Sequence, residues 1–311
     1  MKRILKYTLL LAGVIAAAAM VSTRQQEPGK GIFYRVSGGK SEMYLLGSIH
    51  VGNEDMYPMA ENIQNAIRKA DTVVFECDTD SDEASKITAE SMMSDAPLSA
   101  VISDSLYEQL EQAAKRTGYS MAAFEKMKPW AVTSVLTLEA ASQGLNAVSR
   151  EKASAFGVEK MVREMLDGQK ILYLEKTSEQ LERMDSFSPE LQEYLLLGAC
   201  GDVLETKTSS SMEQDMEQWP KWWHDGDAQA FADSFKRSME KETALELAQE
   251  YQRALLTERN LMMAGRLQEL LESEDTGKCV VTVGLMHLVL PDDSIVSLLR
   301  EKGYQVERLT E

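Results

Sequence analysis

A chain of 311 residues has room for one large domain or two ordinary ones, and its 44% hydrophobic content is enough for a substantial core. Fifty acidic against 33 basic residues leave a formal charge of -17, which repels phosphate backbones and argues against nucleic acid as a partner. The acidity is spread along the chain rather than gathered in a tail, as in an ordinary solvated surface.

At the amino terminus Lys2, Arg3 and Lys6 precede Tyr7 to Thr23, an uncharged stretch rich in Leu and Ala. A basic segment, an apolar segment and the small residues Ala17-Ala18-Ala19 make residues 1–24 read as a signal peptide or an N-terminal membrane anchor. The remainder, 30–311, is expected to be extracytoplasmic and to meet a membrane only through that segment. Cys77, Cys200 and Cys279 have no C-x-x-C spacing, so no disulfide framework is indicated. Cys77 and Cys279 adjoin predicted strands and read as small buried residues.

Ile32 to Val36 and Met43 to Leu46 predict an opening hairpin around Ser37-Gly38-Gly39-Lys40. Pro58 suits a first helical turn, and Met59, Ala60, Ile63, Ala66, Ile67 and Ala70 follow at helical spacing. Thr72-Val73-Val74-Phe75 reads as a buried strand ending on Glu76. From Ser81 to about Gln143 the pattern is helical and polar, with Ser81 and Ser103 as cap candidates and a restart at Lys128-Pro129-Trp130. A helix on Val158, Met161, Val162 and Leu166 is closed by Gly168, and Ile171 to Leu174 is a strand ending on Glu175. Helices fill Ser188 to Asp275, including a long one from about Lys241 to Glu272. Cys279 to Val283 is the last core strand. A closing helix starts at Pro291-Asp292, Gly303 stops it, and Tyr304 to Leu309 is a final strand. Strands alternating with helices at both ends predict an α/β fold: a central mixed sheet flanked by helices, with a helical insertion or cap at about 81–155.

Two of the three histidines share one context, an apolar run followed by Gly-x-x-His: Gly47-Ser48-Ile49-His50 and Gly284-Leu285-Met286-His287. Histidine is the commonest metal ligand and the usual general base near neutral pH. Four predicted strands thus end on or just before His50, Glu76, Glu175 and His287, and α/β sheets place their sites at such carboxyl ends. They converge only if the strands are neighbours. A buried carboxylate such as Glu76 is costly unless paired or metal-bound. Two His with one or two Glu suit a divalent metal that activates water. Glu175 also reads as a strand end entering a helix cap. Arg259 falls on the apolar face of the long helix, where arginine is rare unless paired. It either binds a substrate carboxylate or oxyanion, or forms an ion pair with a buried acid such as Glu76, and Asn260 beside it can donate hydrogen bonds in either case. Trp219, Trp222 and Trp223, then His224-Asp225-Gly226-Asp227, read as helix-packing aromatics with an Asp cap more readily than as a ligand platform. His224 lacks the Gly-x-x-His context and is a poor ligand candidate.

Tyr44 to Gly52, Val74-Phe75-Glu76, Lys128-Pro129-Trp130, Gly157-Val158-Glu159, Leu174-Glu175, Trp223 to Asp227, Glu258-Arg259-Asn260 and Val283 to Leu288 resemble, in order, the TraB/GumN family, which includes the Tiki-type metalloproteases. The resemblance implies a helix-rich α/β domain related to the erythromycin-esterase and ChaN-like proteins. It also implies a metal-dependent peptidase, with manganese or cobalt (zinc as a further option) at His50, His287 and Glu76. Glu76 or Glu175 would be the general base, with Arg259 and Asn260 in support. The expected partner is a peptide or protein substrate. The alternative is a non-catalytic envelope protein that binds peptide, metal or haem, or assists polysaccharide assembly. One departure is visible: where the family has a glycine and then a Pro-Asp-Gly turn, this chain has Leu290 and Pro291-Asp292-Asp293. It is expected to alter the rim of the site and substrate preference rather than the ligands.

Overall fold

The computed structural model describes residues 27–50, 52–141, 155–204, 215, 217–241, 244–290 and 292–310; the leader expected at 1–24 lies outside them. The predicted hairpin forms β1 (Ile32–Ser37) and β2 (Met43–Ser48), antiparallel with Tyr34 opposite Leu45. Helix α1 (Glu61–Arg68) comes next and buries Ile63 and Ile67. It starts three residues later than expected. The Met59 backbone bridges to Gly29 and the Gly29 carbonyl takes the Ala60 N–H, so tertiary pairing claims the residues after Pro58.

Strand β3 (Thr72–Phe75) is buried throughout. Next come α2 (Asp82–Ser91), whose Ser81 cap accepts the Ala84 N–H, α3 (Asp104–Thr117), α4 (Met121–Phe124) and α5 (Pro129–Ala141). Gly118 ends α3 in the left-handed conformation that glycine adopts without strain. Helix α6 (Val158–Glu164) leads to β4 (Lys170–Tyr173). Then come α7 (Thr177–Asp185), α8 (Pro189–Val203), α9 (Trp219–Asp225) and α10 (Ala228–Lys241).

The long helix is neither as long nor as regular as its spacing predicts. Lys241 closes α10, and the later run is α11 (Leu245–Gln252), a π-helical turn (Arg253–Thr257) and α12 (Glu258–Leu271). A π turn adds a residue and rotates the downstream helix by roughly 100°. Beyond it, α12 buries Arg259, Asn260, Met263, Ala264, Leu267 and Leu271 on one face. The chain ends with β5 (Cys279–Gly284), the short turn α13 (Met286–Val289), α14 (Ile295–Glu301) and β6 (Gln305–Leu309). Ser294 caps α14 through the Ser297 N–H, so that helix starts past Pro291-Asp292.

The six strands form one mixed sheet in the order β4-β3-β5-β2-β1-β6. Strands β4, β3, β5 and β2 are parallel neighbours, which makes the fold α/β as expected. The main core packs helices on this sheet. A second core lies among α3, α5 and α8, around Leu106, Leu110, Leu136 and Leu196. This cap therefore draws on α8 as well as on the helices between β3 and β4. Among the described residues no helix is long and apolar enough to cross a membrane.

Candidate active site

Because β4, β3, β5 and β2 are parallel and adjacent, Glu175, Glu76 and the two Gly-x-x-His turns leave the sheet along one edge. The turns are offset by one residue: Gly284 pairs with Ser48, not with Gly47. Convergence of the four strand ends rests on β5, which is inserted between β2 and β3.

Glu76 is the hub. Its Oε2 accepts the Gly284 N–H at 2.8 Å, and its Oε1 accepts Arg259 Nη2 and, at 3.4 Å, Gln180 Nε2. A methyl group at Gly284 would sit 3.2 Å from Glu76 Oε2, so the absence of a side chain there admits the carboxylate. Burial alone would raise the Glu76 carboxyl. His287, Arg259 and the Gly284 N–H outweigh it and bring it down to about 2.

Arg259 also grips Glu175, Nε to Oε2 at 3.2 Å and Nη2 to Oε1, while Nη1 donates to the Leu255 carbonyl in the π turn at 3.2 Å. Of the two readings of Arg259, the structure displays the ion pair, and with both glutamates. Burial raises the Glu175 carboxyl against the pull of Arg259. One guanidinium in contact with two buried carboxylates leaves a negative charge to be balanced, by a proton on Glu175 or by another cation such as Arg183, whose charge also acts on Glu175. Arg266, seven residues on, donates to the Leu174 carbonyl and holds the end of β4.

His287 is buried at the other side of Glu76. Asn260 Nδ2 donates to the Asp293 carbonyl at 2.8 Å, so Asn260 Oδ1 is left to accept from His287 Nδ1, 2.5 Å away. That places the proton on Nδ1 and a lone pair on Nε2, which lies 3.9 Å from Glu76 Oε2. Burial lowers His287 to about 4, with Glu76 opposing and Arg259 adding, so the ring is neutral at pH 7. Asp293 adopts a left-handed φ of 54°. The Asp293 carbonyl, in the segment expected to alter the rim, is part of the support of His287.

His50 is exposed. It borders a cleft of about 350 Å³ together with Glu159 and Arg163 of α6. Burial raises the Glu159 carboxyl although His50 draws it down, and Ser48 Oγ donates to its Oε1 at 3.4 Å. Glu159 belongs to the family-like Gly157-Val158-Glu159 segment but carries no signal of its own. Its apolar neighbours Val158, Met161 and Val162 mark only a buried helix face. Trp223 packs in the core and donates its indole N–H to the Gly47 carbonyl at 2.8 Å, steadying the first Gly-x-x-His turn. Trp219 and Trp222 pack on Phe231. His224 is held by Asp225 and the Glu27 carbonyl, away from the strand ends. Cys77, Cys200 and Cys279 are buried free thiols.

Among the described residues, no three His, Cys, Asp or Glu side chains are gathered closely enough to hold one ion. The donor chemistry nevertheless suits one. An unprotonated Nε2 faces an ionised carboxylate with no proton between them, beside an excess negative charge. Ligand bonds of about 2.1 Å put two donors of one ion at most about 4.2 Å apart. The 3.9 Å between His287 and Glu76 falls within that limit. Asn260 stands behind His287 as an outer partner stands behind a ligating histidine.

No curated protein and no solved structure matches this chain. A family model does, over residues 32–308, from the first strand of the hairpin to the last strand of the sheet. With both Gly-x-x-His turns, Glu76, Glu175 and Arg259 all inside that span, the chain belongs to the TraB/PrgY/gumN family.

Proposed function

We propose that this protein is an exported metal-dependent hydrolase acting on peptides. The observation that carries the hydrolase reading is the His287–Glu76 pair, a buried neutral imidazole and an ionised carboxylate facing each other over 3.9 Å, with one guanidinium in direct contact with two glutamates among the described residues. The peptide class comes from the resemblance to the Tiki branch, and export from the basic-then-apolar pattern of residues 1–24.

His287 and Glu76 would hold the ion, with His50 joining them only if it moves in from the adjoining cleft, and with manganese and cobalt ahead of zinc. When bound, it supplies Lewis acidity and lowers the pKa of a water molecule. Asn260 fixes the tautomer of His287. Arg259 anchors Glu76 and Glu175 and so keeps both carboxylates in place rather than free to shuttle protons. Glu159 lines the cleft beside His50 and, like Glu175, has a raised pKa, but it is not clamped by a guanidinium as Glu175 is, which suits a general base better.

The test is metal stoichiometry and peptide-library cleavage by the full chain, as apo protein and with manganese, cobalt or zinc. About one to two ions per chain and metal-dependent cleavage are expected, both lost in the His50→Ala/His287→Ala variant. Cleavage that survives in that variant overturns the assignment. One observation favours a second reading, a non-catalytic binding protein: Arg259 already occupies both strand-end carboxylates. Metal or peptide binding with no cleavage in the same assay would favour it.

A further inference from the structure

The cleft beside His50 is balanced in formal charge, two cations against two carboxylates, in a chain whose net charge is -17. Arg163 and Lys160 both border it, with Asp80 and Glu159. Lys160 is exposed and has no carboxylate partner among the described residues. Arg163 is held by two independent contacts. Its Nε donates to Asp80 Oδ2 at 2.9 Å, and its guanidinium carbon lies 3.9 Å from the centre of the Phe75 ring, one residue before Glu76. The Tyr173 ring is 5.9 Å away on the neighbouring strand.

Stacking and pairing fix the plane of this guanidinium but leave it incomplete. Nη2 has no acceptor among the described residues and is closed to water as the side chain stands, so a ligand reaches it only where the cleft lining gives way. Buried donors are nearly always satisfied, and an arginine fork matches a carboxylate with two parallel hydrogen bonds. Asp80 uses only Nε and is itself mostly exposed. Glu159 accepts from Ser48 and also feels the charge of Arg163, without a hydrogen bond to it.

We propose that Arg163, assisted by Lys160, determines specificity by binding a carboxylate of the substrate in the cleft beside His50. This rests on the reading of that cleft as the substrate site of a hydrolase. The carboxylate belongs either to the C-terminus of a peptide or to an Asp or Glu side chain. Arg163 is a specificity residue here, not a member of the reacting centre.

The experiment uses the full chain and three probes: N-acetyl-trialanine with a free carboxyl terminus, its C-terminal amide, and the same amide with Glu at the central position. Calorimetric titration gives their affinities, and metal-dependent cleavage of each is followed in parallel. At least one carboxylate probe is expected to bind roughly tenfold or more tightly than the neutral amide, about 1.4 kcal/mol. Which one does so identifies the source of the carboxylate. Arg163→Gln is expected to abolish the preference and Arg163→Lys to retain part of it, with circular dichroism confirming the fold of each. Equal binding of all three probes by the unaltered protein overturns the inference without recourse to any variant. A preference that survives in folded Arg163→Gln also overturns it. Cleavage without discrimination would leave the hydrolase standing and remove only the role of Arg163. Discrimination without cleavage supports Arg163 and counts against the hydrolase.

Discussion

Leu106, Leu110, Leu136 and Leu196 centre a cap core in which every buried residue is apolar, whereas the carboxyl edge of the sheet buries Glu76, Glu175, Arg259, Asn260 and His287 together. Both regions exclude water. In the cap, exclusion is itself the stabilising term, since buried apolar surface contributes about 25 cal/mol per Å². At the sheet edge it is a cost, because each charge loses its hydration and recovers it only through partners of good geometry. Among the described residues, buried charge gathers at the strand ends and on the helix face that meets them, which marks where the fold gives up stability to position charged groups.

Removing the guanidinium is the severest way to break this contrast. Arg259→Leu leaves Glu76 and Glu175 buried without a counter-charge, and a loss of about 3–5 kcal/mol is expected, read from the urea midpoint. Replacing Arg259, Glu76 and Glu175 together by apolar residues should recover most of that loss while abolishing metal binding. Recovery of stability with metal affinity intact would show that the cluster is structural. Leu110→Ala in the cap should cost about 3 kcal/mol by leaving a cavity, with metal affinity unchanged and the cost additive with that of Arg259→Leu.

A smaller effect sharpens the comparison at its boundary. Trp223→Phe removes the indole hydrogen bond to the Gly47 carbonyl. About 1–2 kcal/mol should be lost, and metal affinity should fall if the Gly47–His50 turn needs that support. The smallest effect lies outside both regions, at His224. Burial lowers its pKa, but Asp225 and the Glu27 carbonyl more than compensate, and the net shift is upward from 6.5. A raised folded-state pKa stabilises the fold below pH 6.5, and that contribution is lost as pH rises through the shifted value. His224→Gln should flatten stability against pH in that window, measured by thermal unfolding between pH 5.5 and 8; an unchanged profile would contradict the assignment.

The parts of the site that were legible in the sequence are those written in local pattern. Val73-Val74-Phe75 running onto Glu76, and two apolar runs ending in Gly-x-x-His, need no knowledge of the partner strands. Glu159 and Arg163 were not legible as site residues, because a polar residue on a short amphipathic helix has the same pattern whether it faces solvent or a cleft. The choice between substrate binding and ion pairing at Arg259 was equally hidden. Helical periodicity placed it on an apolar face, but only the arrival of both Glu76 and Glu175 there decided what it binds.

The sequence by itself determined the hairpin, the buried strands, the Ser81 cap, the Gly118 stop and the residue types at the strand ends, because these depend on side-chain alternation and on groups within a few positions of one another. The tertiary structure alone decided that β5 enters between β2 and β3, that a π turn interrupts the long helix before Arg259, and that Asp293 supports His287 through Asn260. The strand insertion and the support of His287 join residues 27 to more than 200 positions apart, and their stability comes from desolvated charge and packing that exist only once the sheet is assembled.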